Sequence, residues 1–132
     1  MISYIIDKYP VIIIKFSHSE WDKVAYETII TDLEAVLDFA ISRNERGILF
    51  VQGNYELVGD KRPPVKIWAW ICKDLLRLYS KIKLGINKTV IHKPTIDYDD
   101  FFKYLFKIYI PARPIHFYHN LEQCYAECGL NV

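Results

Sequence analysis

Glycine is scarce in this chain, with five among 132 residues. Phosphate cradles use glycine where the backbone must approach an anion closely. The sequence has no G-x-G-x-x-G after a strand, no Walker-type glycine loop and no G-x-S-x-G elbow. Motif-borne nucleotide binding and hydrolase chemistry are therefore not expected. A surplus of one charge is also missing: 17 basic residues against 16 acidic give a formal net charge of +1. Without a positive excess, nucleic acid is not an expected partner, and the basic stretches IKLGINK and Lys61-Arg62 read as solvated surface. Cysteine is sparse and odd in number, at Cys72, Cys124 and Cys128, which does not suit a secreted disulfide framework and points to a reducing compartment. Finally, MISYIIDKYPVIIIKF lacks a basic leader and is interrupted by Asp7, Lys8 and Pro10, so it reads neither as a signal peptide nor as a span of ~20 apolar residues. The expectation is a soluble cytoplasmic protein.

What is present is ample apolar material, 52% of residues, in a chain whose length suits one domain over residues 1–132. Residues 2 to 6 and 11 to 16 are short Ile- and Val-rich runs around Asp7-Lys8-Tyr9-Pro10, a β-hairpin pattern. VIIIKF is apolar at consecutive positions, as in a strand covered on both faces. After a cap at Ser17 or Ser19, Trp21, Ala25, Ile29, Leu33, Val36, Leu37 and Ala40 recur at helical spacing through Ile41. ILFVQ at 48 to 52 is a third strand, and 53 to 64 reads as a surface loop ending in Pro63-Pro64, a helix start. The stripe Val65, Ile67, Trp68, Ile71, Leu75, Leu78, Tyr79, Ile82 predicts a second helix, followed past Gly85 and Asn87 by a strand containing TVIH. Asp97 caps a third helix to about 109, IHFY at 115 to 118 is the last strand, and Asn120 with Gln123 forms a capping box for a terminal helix. The order ββαβαβαβα predicts an α/β domain with a mixed, largely parallel five-stranded sheet and helices packed on it.

The stretch RPIHFYHNLEQCYAEC concentrates His116, His119, Cys124 and Cys128. Alternation along IHFY separates His116 and Tyr118 from Ile115 and Phe117, so the two histidines do not share a strand face. The cysteines lack a converging second ligand pair, and the stretch reads as structural. If the fourth and fifth strands pair, His92, His116 and Cys124 become an alternative metal or enzyme set. Asp97, Asp99 and Asp100 read as cap and dipole residues, and Cys72 lacks a cationic context for a nucleophile. No cofactor is implied. Aromatics make up 15% of the chain, and Tyr9, Tyr55, Trp68, Trp70, Tyr98, Phe102 and Tyr104 exceed what one core needs.

The run KTVIHKPTIDYDDFFKYLFKIYIPARPIHFYHNLEQ resembles the C-terminal part of divergent CRAL-TRIO domains, in which a strand and turn lead into an aromatic helix, a short strand and a small helix. The element order is similar to that of STAS (anti-sigma-factor-antagonist) domains. The resemblance implies a non-catalytic module: CRAL-TRIO domains bind lipids or small apolar molecules, and STAS domains bind proteins or nucleotides. Where a STAS switch carries a phosphorylatable serine this chain has GDKRPPVKIW, and it is shorter than CRAL-TRIO lipid binders. Two readings follow. The first is an interaction module that meets a protein partner through loop 53 to 64 and the helix bearing Trp68 and Trp70, with Tyr55 in that loop; a homodimer is compatible with it. The second is a carrier of a small apolar ligand in a pocket lined by Trp70, Phe102 and Phe106.

Overall fold

The structure, a computed structural model, describes residues 2–16, 23–53, 65–92 and 110–130, together with the single positions 103, 106 and 107. Strands β1 (Ile2–Ile5) and β2 (Val11–Phe16) form the expected hairpin, antiparallel, with a cis peptide between Tyr9 and Pro10. Helix α1 (Lys23–Ser42) leads to β3 (Gly47–Gly53). Helices α2 (Val65–Arg77) and α3 (Tyr79–Gly85) lead to β4 (Ile86–His92). Residues 103, 106 and 107 are helical, and β5 (Ile115–Tyr118) and α4 (Leu121–Cys128) complete the chain. The sheet order is β1-β2-β3-β4-β5, with every pair after the hairpin parallel. The protein is thus a single α/β domain on a mixed, mostly parallel sheet.

Consecutive crossovers that advance in one direction with one hand place their helices on the same face of the sheet. Accordingly α1 and the α2–α3 unit share a face, where Val36, Leu37, Ala40 and Leu78 close over Ile12, Ile14, Leu49 and Ile86. The opposite face is covered by α4, whose Cys124 and Cys128 meet Val11, Ile13, Phe50 and Val90. Residues 11 to 14 are buried on both faces because β2 lies between β1 and β3 with helices above and below, which is why VIIIKF carries no polar alternation until Lys15.

Two boundaries differ from the periodicity-based expectation. The apolar stripe from Val65 to Ile82 is divided at Leu78, whose φ of −89° and ψ of 2° leave the helical well, although its N–H still reaches Asp74 O and its carbonyl still accepts from Ile82 N. Strand β4 starts at Ile86, with no turn between it and α3. Gly85 marks a close approach here: a Cβ would stand 3.2 Å from Ile41 Cγ1 and 3.3 Å from the Leu37 carbonyl oxygen. At α4 the cap is Asn120, as expected, but its Oδ1 accepts from Glu122 N at 2.7 Å and Gln123 is exposed. Gly129, at φ 73°, ends the helix in the left-handed conformation that glycine tolerates best.

Candidate functional site

Helices α1 and α2 bound a groove of about 410 Å³ lined by Glu27, Ile30, Thr31, Trp70, Lys73, Asp74 and Arg77. Trp70 is half-buried in it. The other aromatic candidate on the same helix, Trp68, belongs to α2 with its side chain outside the described residues, as are Tyr55, the loop 54 to 64, and Phe102 with most of its segment.

Along one end of the groove runs an ion-pair lattice. Glu34 Oε1 accepts from Arg77 Nη1 at 2.9 Å and its Oε2 from Lys81 Nζ at 2.8 Å; Lys81 Nζ also reaches Asp38 Oδ1 at 2.8 Å, and Arg77 Nε reaches Asp74 Oδ1 at 3.2 Å. The acidic residues Glu34 and Asp38 stand one turn apart on α1, and the basic residues Arg77 and Lys81 one turn apart across the break at Leu78, so the lattice ties α1 to both α2 and α3. Hydrogen bonds from Lys81 and Arg77 hold the Glu34 carboxyl down at about 2. A carboxylate depressed in the folded state stabilises the fold above its ordinary value, and that contribution disappears as pH falls from there through about 2. Glu127, held low by Lys88, acts in the same direction. The thermal midpoint of the wild type should therefore fall between roughly pH 4.5 and pH 2, more steeply than that of Glu34→Gln, in a series of melts across that range. Coincident curves for the two proteins would remove the lattice from the account.

Phe106 lines a second pocket, also of about 410 Å³, with Pro111, Ala112, Arg113, Pro114, Ile115 and Phe117. Its ring lies 5.9 Å from that of Phe117. Arg113 closes one side by donating from Nη2 to the Lys83 carbonyl at 2.8 Å. Trp70 and Phe106 line different pockets, and Phe102, expected beside them, lies outside the described residues. No family model, curated protein or solved structure matches this chain.

Strands β4 and β5 do pair, with Val90 beside His116 and His92 beside Tyr118. The pairing does not assemble the alternative metal or enzyme set. His92 Nε2 lies 3.1 Å from the His119 carbonyl oxygen, His116 Nε2 faces Glu127 Oε1 at 3.6 Å, and Cys124 is enclosed between α4 and the sheet. Among the described residues no three His, Cys, Asp or Glu side chains converge as metal ligands. Burial pushes the Cys72 and Cys124 thiols up, and pushes Cys128 up to about 11. Such thiols stay protonated at neutral pH and make poor nucleophiles.

Sequence reading overlooked both ion-pair groups: the lattice between α1 and the α2–α3 unit, and Glu127, which Lys88 Nζ reaches at 3.1 Å. The lattice left a signal, namely acids four apart at 34 and 38 and bases four apart at 77 and 81. That signal acquires meaning only once the topology sets α1 beside α2 and α3.

Proposed function

We propose that this chain is a non-catalytic interaction module that engages a protein partner through the α1–α2 face centred on Trp70. The observation that carries the reading is the anatomy of the groove: a half-buried tryptophan, apolar contact at Ile30, and a rim of Glu27, Thr31, Lys73, Asp74 and Arg77. An aromatic anchor ringed by polar groups is the usual composition of an interface centre. The lattice of Glu34, Arg77, Lys81 and Asp38 supports it by holding both groove walls in place before binding, which lowers the ordering cost of association. The element order read from the sequence resembles that of STAS domains, which agrees with a role in protein binding.

The test is differential capture with immobilised wild type, Trp70→Ala, Lys73→Glu and the exposed α4 control Gln123→Ala, each checked by circular dichroism. A partner of this face should lose about tenfold or more in affinity for Trp70→Ala, lose less for Lys73→Glu, and bind Gln123→Ala as it binds the wild type. Equal binding by all four proteins would sink the reading.

A second reading, a carrier of a small apolar ligand, is favoured by one feature: the pocket of Phe106, Pro111, Ala112, Ile115 and Phe117 is lined mainly by apolar groups and has the volume of small-ligand sites. Native mass spectrometry separates the two readings, because a carrier should retain a discrete apolar adduct.

A further inference from the structure

Five large apolar side chains are exposed among the described residues: Ile6, Ile41, Leu76, Leu84 and Ile110. Four of them share one end of the molecule. Strands β2 to β5 are mutually parallel and start nearly level, with Val11 beside Ile48, Gly47 beside Ile86 and Thr89 beside Ile115. Ile6 lies in the turn that enters β2, Ile41 at the end of α1 before β3, Leu84 at the end of α3 before β4, and Ile110 in the segment before β5.

These segments are joined side by side. The Tyr9 hydroxyl donates to the Ala40 and Glu45 carbonyls, linking the hairpin turn to the α1–β3 loop. Ile41 closes on Gly85, linking that loop to the end of α3. Arg113 donates to the Lys83 carbonyl, linking α3 to the segment before β5. The result is a row of aliphatic tips that are 43%, 36%, 62% and 77% exposed, from Ile6 through Ile41 and Leu84 to Ile110.

The charge around this row is one-sided. Lys8, Arg43, Arg46 and Arg113 lie in the same turns and loops and Lys83 in the last turn of α3, against Asp7 and Glu45. Arg43 over the Tyr9 and Phe39 rings, and Arg113 on the Lys83 carbonyl, also serve the fold. Lys8, Arg46 and Lys83 are exposed among the aliphatic tips. A chain of net charge +1 therefore concentrates basic residues at the end where its aliphatic side chains protrude.

We infer that this end of the sheet docks on the surface of an anionic lipid bilayer. Apolar tips that enter the headgroup layer and basic side chains that meet anionic lipid are the two signals that together give stable peripheral attachment. Attachment of this kind needs no spanning segment, and no described helix is long and apolar enough to cross a membrane. The surface is separate from the Trp70 groove, so the two can be tested independently.

The experiment is co-sedimentation of the full chain with phosphatidylcholine vesicles, with and without roughly one-third phosphatidylserine. The wild type should sediment with the anionic vesicles at low salt, leave them at high salt, and ignore pure phosphatidylcholine. Leu84→Ser/Ile110→Ser should weaken vesicle binding about tenfold, as should Lys8→Glu/Lys83→Glu, while Trp70→Ala should bind as wild type. All altered tips and lysines are exposed, and circular dichroism checks that each variant is folded. Failure of the wild type to sediment with anionic vesicles, or sedimentation of both double variants like the wild type, would overturn the inference. Binding to soluble poly-glutamate with the same dependence on these residues, without vesicle binding, would also overturn it and assign the surface to an acidic protein.

Discussion

Phe50→Ala is expected to destabilise the protein by about 3–5 kcal/mol, the range for deleting a fully buried aromatic side chain. Phe50 is 0% exposed at the centre of β3, with β2 and β4 on either side. It belongs to the layer formed by Val11, Ile13, Val90, Cys124 and Cys128, and meets the Tyr125 ring edge-on at 5.5 Å. These neighbours come from two flanking strands, β2 and β4, and from α4, so they cannot all relax into the space the ring leaves. The cost should appear as a lower urea midpoint with little change in slope. A loss below about 1 kcal/mol would mean that α4 does not hold this face of the sheet closed.

Cys124→Asp should be nearly as damaging, at about 3–5 kcal/mol, because it places a carboxylate without a partner in the same layer. Cys124 is 0% exposed and packs with Val11, Phe50 and Val90. Cys124→Ala keeps the site apolar and should cost about 1 kcal/mol. The contrast bears on the concentration of histidine and cysteine near the C-terminus. If Cys124 is packing material, alanine is tolerated and aspartate lowers the thermal midpoint by more than about 10 °C. If both variants melt like the wild type, the helix does not bury this position and the stretch must be reconsidered as chemistry.

The fold was legible where burial follows from chain order alone. VIIIKF announces a strand covered twice, and alternating strands and helices leave few ways to build a sheet other than by parallel crossovers. Boundaries set by contacts distant in sequence were not legible. Gly85 and Asn87 look like a turn, yet Gly85 ends a helix where α1 leaves little room for a Cβ, and Leu37 and Ile41 are more than forty residues away in the chain. The apolar stripe through Leu78 has no local mark of the break there. Asn120 was readable as a cap because a side-chain cap is a short-range device, though which N–H it takes depends on the final turn geometry.

The candidate site was legible in part. Trp68 and Trp70 stand about 200° apart on a helix, so the sequence implied that they face different surroundings without saying which faces a groove. That Trp70 faces α1 follows from the crossover packing, which spacing along the chain could not reveal.

The central claim, that the α1–α2 face is the binding surface, is tested most directly by hydrogen–deuterium exchange of the chain with and without its captured partner. The account predicts added protection along residues 27 to 34 of α1 and 70 to 77 of α2, with α4 and residues 110 to 117 unchanged. Protection confined to α4 or to the segment around Phe117, with the Trp70 region exchanging as in the free chain, would contradict it.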